Sequence, residues 1–392
     1  MALETKNIAA VDVGTNSFHL IVVNADKDGN FEIIDREREV IRLGQGNPGD
    51  IKLINTGAMK HAVRALKGFK GIADSHGAPL RAVATSAVRE ALNKNEFINR
   101  VWNETGVEIE VINGHEEARL IYLGVLKSVP IFDRKTLIID IGGGSTEFLI
   151  GNKGENIFSA SVKLGAVRLT QKFFENSELN RKSIDECRNW IHGELFNLSE
   201  TVKGIGFDLC VGASGTIMAA GFMIEAILRG RKSQDVILNN YEFAKDEFFE
   251  IRDEVLKRKS EERRKKIPGL DDKRADIIPA GIIILDEIFK LFNLDRMTIS
   301  SYALREGIII DTLQKEFSDV AGRPFSDIRG GSIKRLSESF EYDRAHCGFV
   351  ASLAVKLFDQ LKPIHQLDDK CREYLEAAAS LHDIGYQISH TN

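Results

Sequence analysis

Ala10-Val11-Asp12-Val13-Gly14-Thr15-Asn16-Ser17-Phe18 and Ile138-Ile139-Asp140-Ile141-Gly142-Gly143-Gly144-Ser145-Thr146 carry one pattern twice. In each, an apolar β-branched run ends in an aspartate, a Gly turn with small polar residues follows, and a second apolar run resumes at Leu20–Val23 and Phe148–Ile150. That order reads as strand, turn, strand. Glycine in the turn permits positive φ and close backbone approach, so the turn N–H groups can converge on a phosphate, while the Asp at the tip can hold a hydrated divalent cation. Ser17 and Ser145 each stand five residues after their Asp. Two copies in the same register imply two related halves facing one another across a phosphate site.

The chain has 392 residues, which at about 150 per domain predicts two or three domains. A hydrophobic content of 43% and a charged content of 28% are those of a globular protein. The longest apolar stretch, Ile277–Leu285 with Pro279 inside it, falls far short of the ~18 residues of a membrane span. The start, Met1-Ala2-Leu3-Glu4-Thr5-Lys6, lacks the basic and apolar regions of a signal peptide. A cytoplasmic location with no membrane partner is the expectation. Cys187, Cys210, Cys347 and Cys371 form no C-x-x-C pair, which argues against a zinc knuckle or disulfide scaffold. The net charge of −5 gives no global attraction for nucleic acid, so an anionic substrate needs a local basic patch or a metal.

Outward from the motifs, helical spacing covers Thr56–Asp74, a strand covers Leu80–Ala84, and a helix opens near Ala87. Val107–Ile112 reads as a strand and leads through Asn113-Gly114 into a helix starting His115-Glu116-Glu117. The second half repeats this logic, with strands at Thr136–Asp140, Glu147–Gly151, Ile157–Val162 and Leu209–Val211 and a third small-residue turn, Gly212–Thr216. Tyr241–Lys266 reads as charged helix, Arg274–Phe292 as a buried helix, and Met297–Ser300 and Ala303–Gln314 as the closing strand and helix. Strand signal ends near Ser318. The alternation predicts α/β layers around a mostly parallel sheet extended by the hairpins, with a helical third domain.

Phosphoryl chemistry also needs a group that orients or deprotonates the attacking oxygen. Glu116 and Glu117 open a helix after a Gly turn, but adjacent helical residues point about 100° apart, so only one can face a cleft. Both also suit the helix dipole as solvated acids. Arg89 follows another small-polar turn, Thr85-Ser86, and reads either as a phosphate contact or as a surface ion-pair residue. The run from Lys257 through Arg263-Arg264-Lys265-Lys266 to Arg274 is the densest basic stretch, either a solvated helix face or a guide for a long polyanion. His346 and His382-Asp383 have the spacing of a helical metal site, but a complete one needs a further acidic ligand downstream.

Asp12-Val13-Gly14-Thr15-Asn16-Ser17-Phe18-His19, Ala84-Thr85-Ser86-Ala87-Val88-Arg89, Gly114-His115-Glu116-Glu117-Ala118-Arg119-Leu120-Ile121, Asp140–Glu147 and Arg274-Ala275-Asp276 together resemble the exopolyphosphatase and guanosine pentaphosphate phosphohydrolase family. Its members belong to the actin, sugar kinase and Hsp70 fold superfamily. The resemblance implies two ribonuclease H-like, actin-like domains with a cleft between them, over 1–128 and 129–315. It implies a partial, all-α, HD-like domain over 316–392, carried by Tyr342–His346 and Leu381–Gly385, which stops soon after His390 where that domain would continue. By the same resemblance, Glu117 activates the attacking water, and Arg89 matches a phosphate-contacting arginine of the catalytic centre. Asp12, Asp140 and Glu147 hold Mg2+ or Mn2+, and Gly14, Asn16, Ser17, Gly142, Gly143, Gly144, Ser145 and Arg274 contact phosphate. The implied ligands are inorganic polyphosphate and guanosine penta- and tetraphosphate, and a homodimer is left open. The rival expectations are a sugar or acetate kinase of the same fold, and a non-catalytic ppGpp-binding regulator.

Overall fold

The computed structural model describes residues 5–26, 29–44, 52–174, 178–316 and 344–383. The first motif becomes β1 (Thr5–Val13) and β2 (Ser17–Asp26), joined by the turn Gly14-Thr15-Asn16 and followed by β3 (Phe31–Val40), antiparallel to β2. Helix α1 (Thr56–Ser75) then crosses to β4 (Leu80–Ala84), parallel to β1. Its start is fixed by Asn55, whose Oδ1 accepts the Ala58 N–H at 2.8 Å, and its buried stripe of Met59, Ala62, Val63, Leu66, Phe69 and Ala73 packs into the core of this half. Short helices α2 (Ser86–Glu90) and α3 (Lys94–Thr105) lead to β5 (Ile109–Val111), parallel to β4, and α4 (Gly114–Ser128) follows. The sheet order is β3-β2-β1-β4-β5.

The second motif builds the same layout. β6 (Thr136–Ile141), β7 (Thr146–Asn152) and β8 (Glu155–Val162) pair antiparallel, and α5 (Ala166–Phe173) and α6 (Arg181–Ile205) lead to β9 (Leu209–Ala213), parallel to β6. After α7 (Ser214–Leu228), β10 (Glu242–Ala244), α8 (Lys245–Lys257), α9 (Glu261–Arg264) and α10 (Ile278–Leu291) comes β11 (Arg296–Ile299), parallel to β9. From β8 the order β8-β7-β6-β9-β11 matches that of the first sheet, with β10 added antiparallel at the edge. The fold is α/β, two ribonuclease H-like halves, and each motif Asp lies near the carboxyl end of a strand with its hairpin on one side and a parallel strand on the other. Asp12 is level with Val83, and Asp140 with Ala213.

Three readings of the sequence change. The charged stretch from Tyr241 is not one helix: β10 takes its start, and α8 and α9 divide the rest. The buried helix starts at Ile278 rather than Arg274, because Pro279 belongs to a first helical turn and Asp272–Arg274 forms a separate 3-10 turn. The closing helix α11 (Leu304–Glu316), read with the second half, packs against α4 and β1 of the first. That contact is backbone-close: a Cβ on Gly307 would stand 1.8 Å from the Leu120 carbonyl oxygen, and one on Gly124 2.1 Å from that of Ala303.

Both sheets belong to one compact unit that ends at Glu316. The second unit holds α12 (Arg344–His365) and α13 (Asp369–Leu381), two helices packed on each other, with Asp368 Oδ1 accepting the Cys371 N–H at 3.0 Å at the start of α13. Tyr342, Asp343, Ile384, Gly385 and His390 lie outside the described residues. Among the described residues, no helix is long and apolar enough to cross a membrane.

Candidate active site

The two turns meet. A Cβ on Gly143 would come within 3.1 to 3.3 Å of Thr15 and Asn16, and one on Gly144 within 2.0 Å of Ser86 Oγ. Glycine is needed here for contact between the halves, since none of Gly14, Gly142, Gly143 and Gly144 adopts positive φ. The Gly142 N–H donates to the Ser145 carbonyl at 3.0 Å, and Arg168 Nε donates to the Gly144 carbonyl at 2.7 Å while its Nη2 reaches Glu90 Oε1 at 2.9 Å. Beside the junction is a cavity of about 360 Å3 whose wall includes Asp12, Asn16, Ser17, Glu117, Asp140, Gly142, Gly143 and Arg274. Eight residues singled out in the sequence are thereby brought to one space.

The other five, Gly14, Arg89, Gly144, Ser145 and Glu147, do not line it. Arg89 stands behind Glu117, donating from Nη1 to Glu117 Oε2 at 2.8 Å and to the Ile112 carbonyl at 2.9 Å. Its role in this structure is to fix the carboxylate. Glu147 lies directly across from Asp140 in the β6–β7 pair and accepts from Ser161 Oγ at 2.8 Å. Of the two helix-opening acids, Glu117 is buried, whereas Glu116 turns away and accepts from Arg119 Nη2 at 2.7 Å.

Asp12, Glu117, Asp140 and Glu147 are all buried or nearly so, and each is pushed above the carboxylate range. Burial carries Asp12 up to about 8, against the attraction of Arg305 and with the help of the Glu117 and Asp140 charges. Burial and then Glu117 carry Asp140 up to about 7, against a hydrogen bond from Ser214. Glu147 rises through burial and both neighbours, and Glu117 rises through burial against its Arg89 partner. Like charges opposed across a strand pair are destabilising unless a cation intervenes. The buried Asn16 Oδ1, which has no hydrogen-bond partner, adds an oxygen donor in the same place. This all-oxygen set fits a hard divalent cation such as Mg2+ or Mn2+.

Four further residues shape the wall, two of them from motifs already singled out. Ser214 adopts φ +75°, a left-handed conformation rare for a non-glycine residue, and sends its Oγ to the Ile141 carbonyl at 3.3 Å. His19, Arg38 and Arg305 join Arg274 on the wall. His19 ends the first motif, but nothing in strand periodicity marks Arg38 or Arg305 as facing a cavity.

The basic stretch is partly committed within the fold, while Lys257, Lys259, Arg263, Lys266 and Lys273 are exposed. Arg258 pairs with Glu254, Lys265 pairs with Glu261 and Glu262 at 3.0 and 2.7 Å, and Arg264 is fully buried, donating to the carbonyls of Ala275, Arg258 and Lys259. In the helical unit, His346, His382 and Asp383 do converge, with ligand atoms within 4.8 Å of one another.

The site is thus the centre at which two facing Gly turns of a two-sheet α/β fold meet. The Ppx/GppA phosphatase family profile matches residues 22–316, and that of Ppx/GppA phosphatase domain III matches 328–392. An exopolyphosphatase from Cytophaga hutchinsonii is similar, at 30% identity and a TM-score of 0.73, over 79% of this chain and 98% of that one. A Ppx/GppA family member from Aquifex aeolicus is similar at 28% identity and a TM-score of 0.66, over 80% of this chain and 99% of that one. The chain belongs to the Ppx/GppA phosphatase family.

Proposed function

We propose that the chain hydrolyses the terminal phosphoanhydride of inorganic polyphosphate, of guanosine pentaphosphate, or of both, with a divalent cation and with Glu117 as the general base. The observation that carries this reading is the position of Glu117: a buried carboxylate on the cavity wall, raised in pKa and held by Arg89, beside the junction of the two phosphate-type turns. A raised carboxylate is a better proton acceptor from water, and Arg89 fixes which oxygen faces the cavity. The backbone of Gly142 and Gly143, with Asn16, Ser17 and Arg274, would receive the phosphate oxygens. Asp12, Asp140 and Glu147 would hold the cation, which when bound supplies compensation for phosphate charge. The exopolyphosphatase similar to this chain supports polyphosphate as a substrate. A partner of the same chain and a cytoplasmic setting remain part of the proposal.

The test is phosphate release from long-chain polyphosphate and from guanosine pentaphosphate, with Mg2+ or Mn2+ and no acceptor molecule. Release that disappears in excess EDTA is expected. Turnover only when a sugar or carboxylic acid acceptor is added would establish a kinase, and binding of ppGpp without any turnover would establish a regulator.

A further inference from the structure

Arg38 and Arg274 share the cavity wall with the acids, and donors of both are left over for a ligand. Arg38 comes from β3 and is the direct cross-strand neighbour of His19 on β2. Its Nη1 meets Asp271 Oδ2 at 3.1 Å, but Nε and Nη2 are buried with no hydrogen-bond partner among the described residues. Arg274 has no hydrogen-bond partner for its guanidinium among the described residues, and burial, then the Arg38 charge, pull it down to about 10 against the attraction of Asp271 and Asp276, so it stays protonated at neutral pH. Buried donors left unpaired are costly, and two guanidinium groups that repel one another are costlier still. Polyanion binding removes both penalties, since each guanidinium presents a fork that matches phosphate oxygens.

The wall is ordered by charge. Arg305 acts electrostatically on both Asp12 and His19, and Arg38 and Arg274 act on His19, which Arg38 faces directly across the β2–β3 pair. His19, surrounded by burial and these three cations, is held well below its usual range and is neutral. It therefore adds no charge to an anion site but can offer one N–H.

We propose that Arg38, acting with Arg274, grips phosphates on the leaving-group side of the scissile bond, which makes Arg38 a specificity-determining residue for phosphate chain length. This rests on the hydrolytic reading above. The attacked phosphoryl lies with Glu117 and the carboxylates, and the chain that follows it runs past Arg305 toward the Arg38–Arg274 pair.

The experiment compares Arg38→Ala and Arg38→Lys with the unaltered protein on pyrophosphate, tripolyphosphate and long-chain polyphosphate. Arg38→Ala is expected to raise KM for tripolyphosphate and longer chains roughly ten- to hundredfold, with kcat within about threefold and a much smaller change on pyrophosphate. Arg38→Lys, which keeps the charge and loses the fork, should fall between. Asp271→Asn separates binding from a structural role: freeing Nη1 should lower the tripolyphosphate KM by about threefold, whereas an equal rise in KM in Asp271→Asn and Arg38→Ala would assign Arg38 to the ion pair and overturn the proposal. An unchanged KM in Arg38→Ala would overturn it as well. Calorimetric titration of tripolyphosphate into the unaltered protein and Arg38→Ala, in EDTA, reads the grip without turnover. Weakened binding there would uphold the grip even if the protein released no phosphate, the result that sinks the hydrolytic reading alone.

Discussion

Asp311 and Asp12 are aspartates of the same compact unit, and their surroundings drive them in opposite directions. Asp311, on α11, accepts from Arg81 Nη1 at 2.6 Å, Arg119 Nη2 at 2.5 Å and Lys315 Nζ at 2.9 Å. Burial works to raise it, yet the bonds from Lys315, Arg119 and Arg81 outweigh burial and hold it down at about 2. Asp12 is carried up to about 8 by burial, against Arg305 and with the help of the Glu117, Asp140 and Glu306 charges. The first region is a closed ion network that joins α11 to β4 and α4. The second concentrates four acids against fewer cations, Arg89 on Glu117 and Arg305 acting on Asp12, so that burial outweighs compensation at each. Charge compensation thus separates the acid that holds the fold from the acids set aside for chemistry, and that is where perturbed groups have functional meaning.

The strongest challenge to this contrast is kinetic. Glu117→Gln should lower kcat by about 10² to 10⁴ with substrate affinity nearly intact, because a lost general base has that effect. Glu116→Gln, whose carboxylate bonds Arg119 away from the cavity, should change kcat by less than about threefold. Equal losses in steady-state assays of phosphate release would break the assignment of the base.

Stability comes next. Asp311→Ala leaves two arginines and a lysine around an empty position and should destabilise the protein by about 3 kcal/mol in denaturant unfolding. Asp12→Asn should abolish activity yet stabilise the metal-free protein at neutral pH, on the order of 1 kcal/mol, since an amide needs no proton taken up on folding to enter the cluster. Destabilisation of similar size in both variants would erase the distinction.

The pH response should also differ in sign. The native Asp12 and Asp140 carboxyls keep protons that the unfolded chain releases near pH 4, so their contribution to stability is full below that value and is lost as pH rises to about 8 and about 7 respectively. Asp311 contributes above pH 4 and loses its contribution as pH falls toward about 2. Urea midpoints in EDTA should therefore decline from pH 5 to pH 8, and added Mg2+ should raise the midpoint more at pH 8 than at pH 6, because the cation competes with those protons. A Mg2+ effect independent of pH would mean that the carboxylates do not hold it.

The smallest effect concerns the basic stretch. Lys265→Gln with Lys266→Gln should leave KM for long-chain polyphosphate unchanged within about twofold, since Lys265 is already paired. Arg264→Met should instead lower the melting temperature, because three backbone carbonyls lose their donor. A rise in KM from the lysine pair would restore the stretch as a polyanion guide.

Much of this was legible in the chain because local constraints enforce it. Apolar β-branched runs that end in Asp and a small-residue turn favour a hairpin with an acid at its tip, so Asp12 and Asp140 announce themselves, and their repetition implies the paired sheets. The helix of Thr56–Asp74 was legible for the same reason, as its apolar residues return at 3.6-residue spacing to one buried face. Composition misled in the stretch around Arg264, because a long run of charges has the same appearance whether it is solvated, paired or buried. No local signal distinguishes Arg264, fully buried, from Arg263 beside it.

The sequence by itself determined the elements, the doubled hairpin, and the residue types able to bind phosphate and cation, since these depend on neighbours a few positions apart. Only the tertiary structure decided which acid of Glu116 and Glu117 enters the cavity, that Arg89 stands behind it, that α11 returns to the first half, and that Arg38 and Arg274 meet. Those outcomes are set by contacts between segments far apart in the chain, such as Arg38 with Asp271 and Arg81 with Asp311, whose Coulomb and packing energies exist only once the two sheets have closed on one another.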